Sequence, residues 1–66
     1  MRLTVNGEQR QVQAAGNISA LVALLGLDAR KVAIERNLAI VPRSRWADTA
    51  LTDGDRIEIV HFVGGG

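Results

Sequence analysis

The chain has 66 residues, with 47% apolar and 23% charged side chains and a formal charge of +1 at pH 7. That length bounds it to one small domain, and the near-balanced charge argues against a protein that lives on phosphate contacts. Zero cysteines and one histidine exclude a disulfide framework, a thiolate nucleophile, an iron–sulfur cluster and a cysteine-ligated zinc, so most metalloproteins and most self-contained enzymes fall away and a binding or carrier domain remains.

In chain order, Arg2-Leu3-Thr4-Val5 alternates polar and apolar residues, the pattern of a half-buried strand. Asn6-Gly7 follows, a strong hairpin signal because both residues tolerate positive φ. Glu8 to Val12 is then a polar return strand with Val12 inward, suited to a sheet edge where solvent-facing Gln and Arg discourage aggregation. Asn17 can accept a free amide at a helix start. Ile18, Leu21, Val22 and Leu25 form one helical stripe at i, i+3, i+4 and i+7. Gly26 fits the left-handed residue that ends a helix, with Leu27 folding back on the last turn. A helix this short must be held by packing on a sheet.

Lys31 to Arg36 predicts a third strand with Val32 and Ile34 on one face and Ala33 and Glu35 on the other. Asn37 is a turn residue, and Leu38 to Val41 a brief fourth extended segment that Pro42 ends. Trp46 anchors a short irregular turn, and Thr52-Asp53-Gly54-Asp55 reads as an ordinary turn, with too few carboxylates for a calcium site. Arg36, Arg43 and Arg45 read as a solvated basic face. Arg56 to Phe62 is the last strand, with Ile57 and Ile59 inward and His61 on the same parity at the rim. No phosphate-binding or dinucleotide fingerprint is present.

A hairpin, one helix and a return to the sheet is the order of a β-grasp domain. The expected class is therefore α+β, a mixed sheet of four to five strands with one short helix packed on one face. Residues 1–63 would form that single domain and residues 64–66 a flexible glycine tail. One helix covers one face, so the other meets solvent or a partner. The opening residues are broken by Asn6-Gly7 and lack a secretory core, and the apolar stretch Ala20 to Leu25 is far too short to span a membrane. A soluble, cytoplasmic protein without nucleic-acid or membrane partners is expected.

Two features carry possible chemistry. Gly64-Gly65-Gly66 follows the last strand without a spacer, and by composition it fits a frayed chain end as well as a functional tail. It would present the Gly66 carboxylate on a thin arm with no side chain to block a narrow channel. Attack of that carboxylate on the α-phosphate of ATP gives an acyl-adenylate. A persulfide sulfur can displace AMP and leave a thiocarboxylate, and no catalytic side chain on the carrier is required. Second, Val60 and Phe62 break the polar side of the alternation. They share the parity of Arg56 and Glu58, so they fall on the open face beside the tail. That placement suits either packing on neighbouring strands or an apolar docking patch.

The segments Val32-Ala33-Ile34-Glu35-Arg36-Asn37, Ile40-Val41-Pro42-Arg43, Asp53-Gly54-Asp55-Arg56-Ile57-Glu58-Ile59-Val60 and His61-Phe62-Val63-Gly64-Gly65-Gly66 resemble the ThiS family, sulfur carriers of bacterial thiamine biosynthesis. The resemblance covers nearly the whole chain. It implies a ubiquitin-like β-grasp fold and a carrier rather than an enzyme, with no cofactor and no metal. An E1-like adenylyltransferase of the ThiF type would adenylate Gly66, at the end of Gly64 and Gly65. Sulfur from a donor such as a cysteine desulfurase would convert it to a thiocarboxylate, and a ThiG-type thiazole synthase would take the sulfur. Val60, Phe62 and Val63 would meet partners, and the free protein would be a monomer. Two other readings stay open. One is a sibling sulfur carrier, such as the small subunit of molybdopterin synthase or a carrier for tRNA thiolation or cysteine synthesis. The other is a β-grasp interaction module without tail chemistry.

Overall fold

A computed structural model describes residues 1–13 and 15–63. The first hairpin joins β1 (Arg2–Val5) to β2 (Glu8–Gln11), with Val5 opposite Glu8 and Arg2 opposite Gln11. Asn6 at φ 49° and Gly7 at φ 82° form the connecting turn. Two successive left-handed residues match the twist of the flanking strands. Every side chain of β2 is exposed, and β2 lies at the sheet edge, as its polar composition predicts.

The helix α1 spans Ile18–Leu24 and buries Ile18, Leu21 and Val22. At its start the Asn17 side chain accepts the Ala20 N–H at 2.8 Å. At its end Gly26 adopts φ 71°. The Leu27 N–H then reaches the Val22 carbonyl and the Gly26 N–H the Ala23 carbonyl, both at 3.1 Å. These bonds satisfy carbonyls that a helix end otherwise leaves orphaned. Two further bonds fix the entrance to α1 against a distant loop: Ile18 N–H to the Thr49 carbonyl at 3.1 Å and Leu51 N–H to the Gly16 carbonyl at 3.0 Å.

A short 3-10 turn, Ala29–Lys31, leads into β3 (Val32–Arg36), so the third strand starts one residue later than the alternation suggests. β4 is Ala39–Val41, and a second 3-10 segment, Arg43–Asp48, buries Trp46. The Trp46 indole donates to the Val41 carbonyl at 2.9 Å, which ties this segment to the end of β4. The last strand, β5 (Arg56–His61), lies in the centre of a five-stranded sheet of order β2-β1-β5-β3-β4. It runs parallel to β1 and antiparallel to β3. One face packs on α1. There Leu3, Val5, Val32, Ile34, Ile57 and Ile59 join Ile18, Leu21, Val22, Trp46 and Leu51 in one core. The mixed five-stranded sheet with one short helix is the expected α+β arrangement.

Two expectations need correction. Leu38 does not begin β4; it sits in the turn before it, at φ 74° after Asn37 at φ 51°. Arg36 and Asp55 are not a solvated residue and an ordinary turn residue. Asp55 is buried, and its carboxylate accepts from Arg36 Nε at 2.8 Å, Asn37 Nδ2 at 3.0 Å and the Thr52 N–H at 2.8 Å. Burial on its own raises the pKa of this carboxyl. The hydrogen bonds from Asn37, Thr52 and Arg36, with the Arg36 charge, outweigh it and hold the group below the usual carboxylate range.

Candidate functional site: the open sheet face and the end of β5

The site is built around β5, the central strand of the sheet. Thr4 and Val5 pair with Arg56 and Ile57 on one side, and Val32 to Arg36 pair with His61 to Ile57 on the other. Asn6 extends the support past the end of β1. Its side chain accepts the Ile59 N–H at 2.6 Å and donates to the Ile59 carbonyl at 3.2 Å. Asn37 holds the opposite end, donating its N–H to the Arg56 carbonyl at 2.8 Å and accepting the Arg56 N–H on its side chain at 2.9 Å. The last bond along the strand runs from the Phe62 N–H to the Lys31 carbonyl at 2.8 Å. A strand clamped along its length gives whatever follows Phe62 a fixed point of departure.

Of the residues expected to meet partners, Val60 is 51% exposed, Phe62 54% and Val63 99%. Val60 lies opposite Ala33, on the face away from α1. Packing on neighbouring strands does not cover these side chains. Gly64, Gly65 and Gly66 lie outside the described residues. His61 is exposed, opposite Val32. It borders a shallow concavity of about 230 Å³ with Val5, Asn6, Arg10, Leu25 and Ile59.

The same open face continues to the other end of the sheet. Glu58 and Ile40 both face Glu35. Ile40 is 73% exposed and Leu38 74%. The sequence reading puts both in a brief extended segment and assigns neither a role. A signal existed in Asn37-Leu38, which occupies the place of an Asn-Gly turn between two strands.

Among the described residues no helix is long and apolar enough to cross a membrane, and no group of three or more His, Cys, Asp or Glu side chains is assembled for a metal. Arg43 and Arg45 are exposed, whereas Arg36 is committed to Asp55.

Comparison with known proteins gives a consistent result. The sequence model of the ThiS family matches residues 3–66. The chain is 42% identical over 65 residues to the sulfur carrier protein ThiS of Bacillus subtilis, covering 97% of this chain and 98% of that one. It is 54% identical over 66 residues to a thiazole synthase of Paramagnetospirillum magneticum, covering all of this chain but only 20% of that protein. Among solved structures, that of a thiamine biosynthesis protein (ThiS) from Geobacter metallireducens superposes with a TM-score of 0.85 at 36% identity, over the full length of both chains.

Proposed function

The chain belongs to the ThiS family, and from that premise we propose that it carries sulfur to thiazole formation in thiamine biosynthesis as a thiocarboxylate on Gly66. An E1-like adenylyltransferase of the ThiF type activates the carboxylate. One carboxylate oxygen attacks the α-phosphate of ATP, pyrophosphate leaves, and the product is a Gly66 acyl-adenylate. A persulfide from a donor such as a cysteine desulfurase then attacks the acyl carbon and AMP departs. A second thiolate attacks the donor's own sulfur in the resulting acyl disulfide, forms a new disulfide with the donor and releases the thiocarboxylate. The ThiG-type thiazole synthase consumes that sulfur.

The carrier's part in these steps is presentation. Gly64, Gly65 and Gly66 would bring the reacting carboxylate to the partner, and a segment without side chains can enter a narrow site. Val60, Phe62 and Val63 dock the partner beside the arm; removal of such exposed apolar side chains from water favours association. The carrier is itself no enzyme, and it works as a cytoplasmic monomer between larger partners. The observation that carries this reading is the family match, which runs to residue 66 and so includes the glycines. Only Phe62 and Val63 separate them from β5, the central strand of the sheet. The relative in which this domain forms part of a thiazole synthase supports the choice of acceptor.

The test is an exchange of acceptors. The protein charged with sulfur is offered to thiazole synthase and, separately, to the large subunit of molybdopterin synthase. Sulfur should pass to the first and not to the second. Delivery only to molybdopterin synthase would transfer the chain to a sibling pathway.

A further inference from the structure

Leu38 combines two costs that neither the arm nor its neighbouring patch explains. Its backbone is left-handed at φ 74°, and its side chain is 74% exposed. In that conformation the Cβ of a bulky residue crowds its own carbonyl, which is why glycine or asparagine is usual there. A buried leucine recovers such strain by leaving water; an exposed one does not. The strain is imposed from outside, because Asn37 is bonded to both Arg56 and Asp55 and carries its neighbour into the turn. Strain that the surroundings enforce is a mark of functional positions.

The surroundings of Leu38 specify what it could meet. With Thr4, Asn37, Gly54 and Arg56 it lines a concavity of about 400 Å³. Thr4 and Arg56 are paired neighbours on β1 and β5, and their parity puts them on the open face. The concavity is therefore on the same face as Val60 and Phe62 but at the far end of β5. Glu35 and Glu58, directly opposed, lie between the two ends. Arg56 is exposed and takes no part in the ion pairs formed among the described residues. An apolar wall beside an open cation fits a partner loop that offers an apolar side chain next to a carboxylate.

We infer that Leu38, with Ile40 and Arg56, is a second docking point on this face, and that its occupant is the acceptor, thiazole synthase. The inference rests on the proposed function. One observation favours the acceptor over the activating enzyme: the whole of this domain recurs at 54% identity inside a thiazole synthase chain.

The test measures binding of the uncharged protein to purified thiazole synthase and to the adenylyltransferase by calorimetry. Leu38→Gly should weaken binding to thiazole synthase by about tenfold or more, the loss typical of a central apolar contact. Binding to the adenylyltransferase should stay within about twofold, and Tm should not fall, because glycine relieves the turn. Leu38→Met should retain most of the affinity. Equal binding of Leu38→Gly and the unsubstituted protein to thiazole synthase overturns the inference, as does a loss confined to the adenylyltransferase. Failure of the unsubstituted protein to bind either enzyme overturns the proposed function as well, so the two failures are distinguishable.

Discussion

The two faces of β5 use the same kind of side chain to opposite ends. Ile57 and Ile59 lie under α1 and are buried, while Val60 and Phe62 lie on the open face and stay in water. The two hairpin turns repeat the contrast. Asn6-Gly7 and Asn37-Leu38 have nearly the same backbone, with φ values of 49° and 82° in the first and 51° and 74° in the second. Glycine makes the first turn at little cost, and leucine makes the second under strain. The helix side of the sheet thus collects choices that favour folding. The open side collects choices that folding does not reward, which is where surface for partners is expected.

Substitutions can break or sharpen this division. The largest effect is expected at Ile57, which is fully buried. Ile57→Ala should cost about 3–4 kcal/mol through lost transfer energy and a cavity. A domain of this size has only about 3–10 kcal/mol in total, so a urea melt should show a largely unfolded or barely folded protein. Next comes Asp55→Ala, which strands Arg36 and Asn37 and should cost about 3 kcal/mol.

The same carboxylate gives the fold a pH dependence. Its pKa is lowered in the folded state, so its contribution is complete above the unfolded value of about 3.9 and is lost as pH falls through the lower folded value. Melts from neutral pH down to strongly acid should show that loss in the unsubstituted protein, and Asp55→Ala should flatten it.

Smaller still is Gly7→Ala. It places a Cβ at φ 82° in open space and should cost about 1 kcal/mol from backbone strain alone, with no change in binding to either enzyme. The smallest stability effect belongs to Phe62→Asp, within about 0.5 kcal/mol for an exposed site. That change should nevertheless weaken binding to the adenylyltransferase by about tenfold. If Phe62→Asp unfolds the domain instead, its side chain belongs to the core and the division between the faces fails there.

What was legible in the sequence was what local chemistry encodes. Asn6-Gly7, the Asn17 cap, the Ile18-Leu21-Val22 stripe and Gly26 each act within a few residues, and each lies where its pattern placed it. The open-face position of Val60 and Phe62 was also legible, because strand parity is strict over so short a distance. The Asp55 network was not. Its partners Arg36 and Asn37 are 19 and 18 residues away, and Asp-Gly-Asp has an adequate local explanation as a turn. Leu38 was missed for a related reason, since a leucine after asparagine reads as the start of a strand and only the tertiary clamp on Asn37 turns it left-handed. The family was legible from the resemblance, whereas the three glycines alone fit a frayed end equally well and lie outside the described residues.

The most direct measurement of the carrier role is an intact mass. The protein is incubated with ATP, the adenylyltransferase and a sulfur donor, alongside a variant lacking Gly66. Replacement of one oxygen by one sulfur should appear in the unsubstituted protein and be absent from the variant. No gain under conditions that charge another carrier of this family, or an equal gain in the variant without Gly66, would show that this residue does not carry the sulfur.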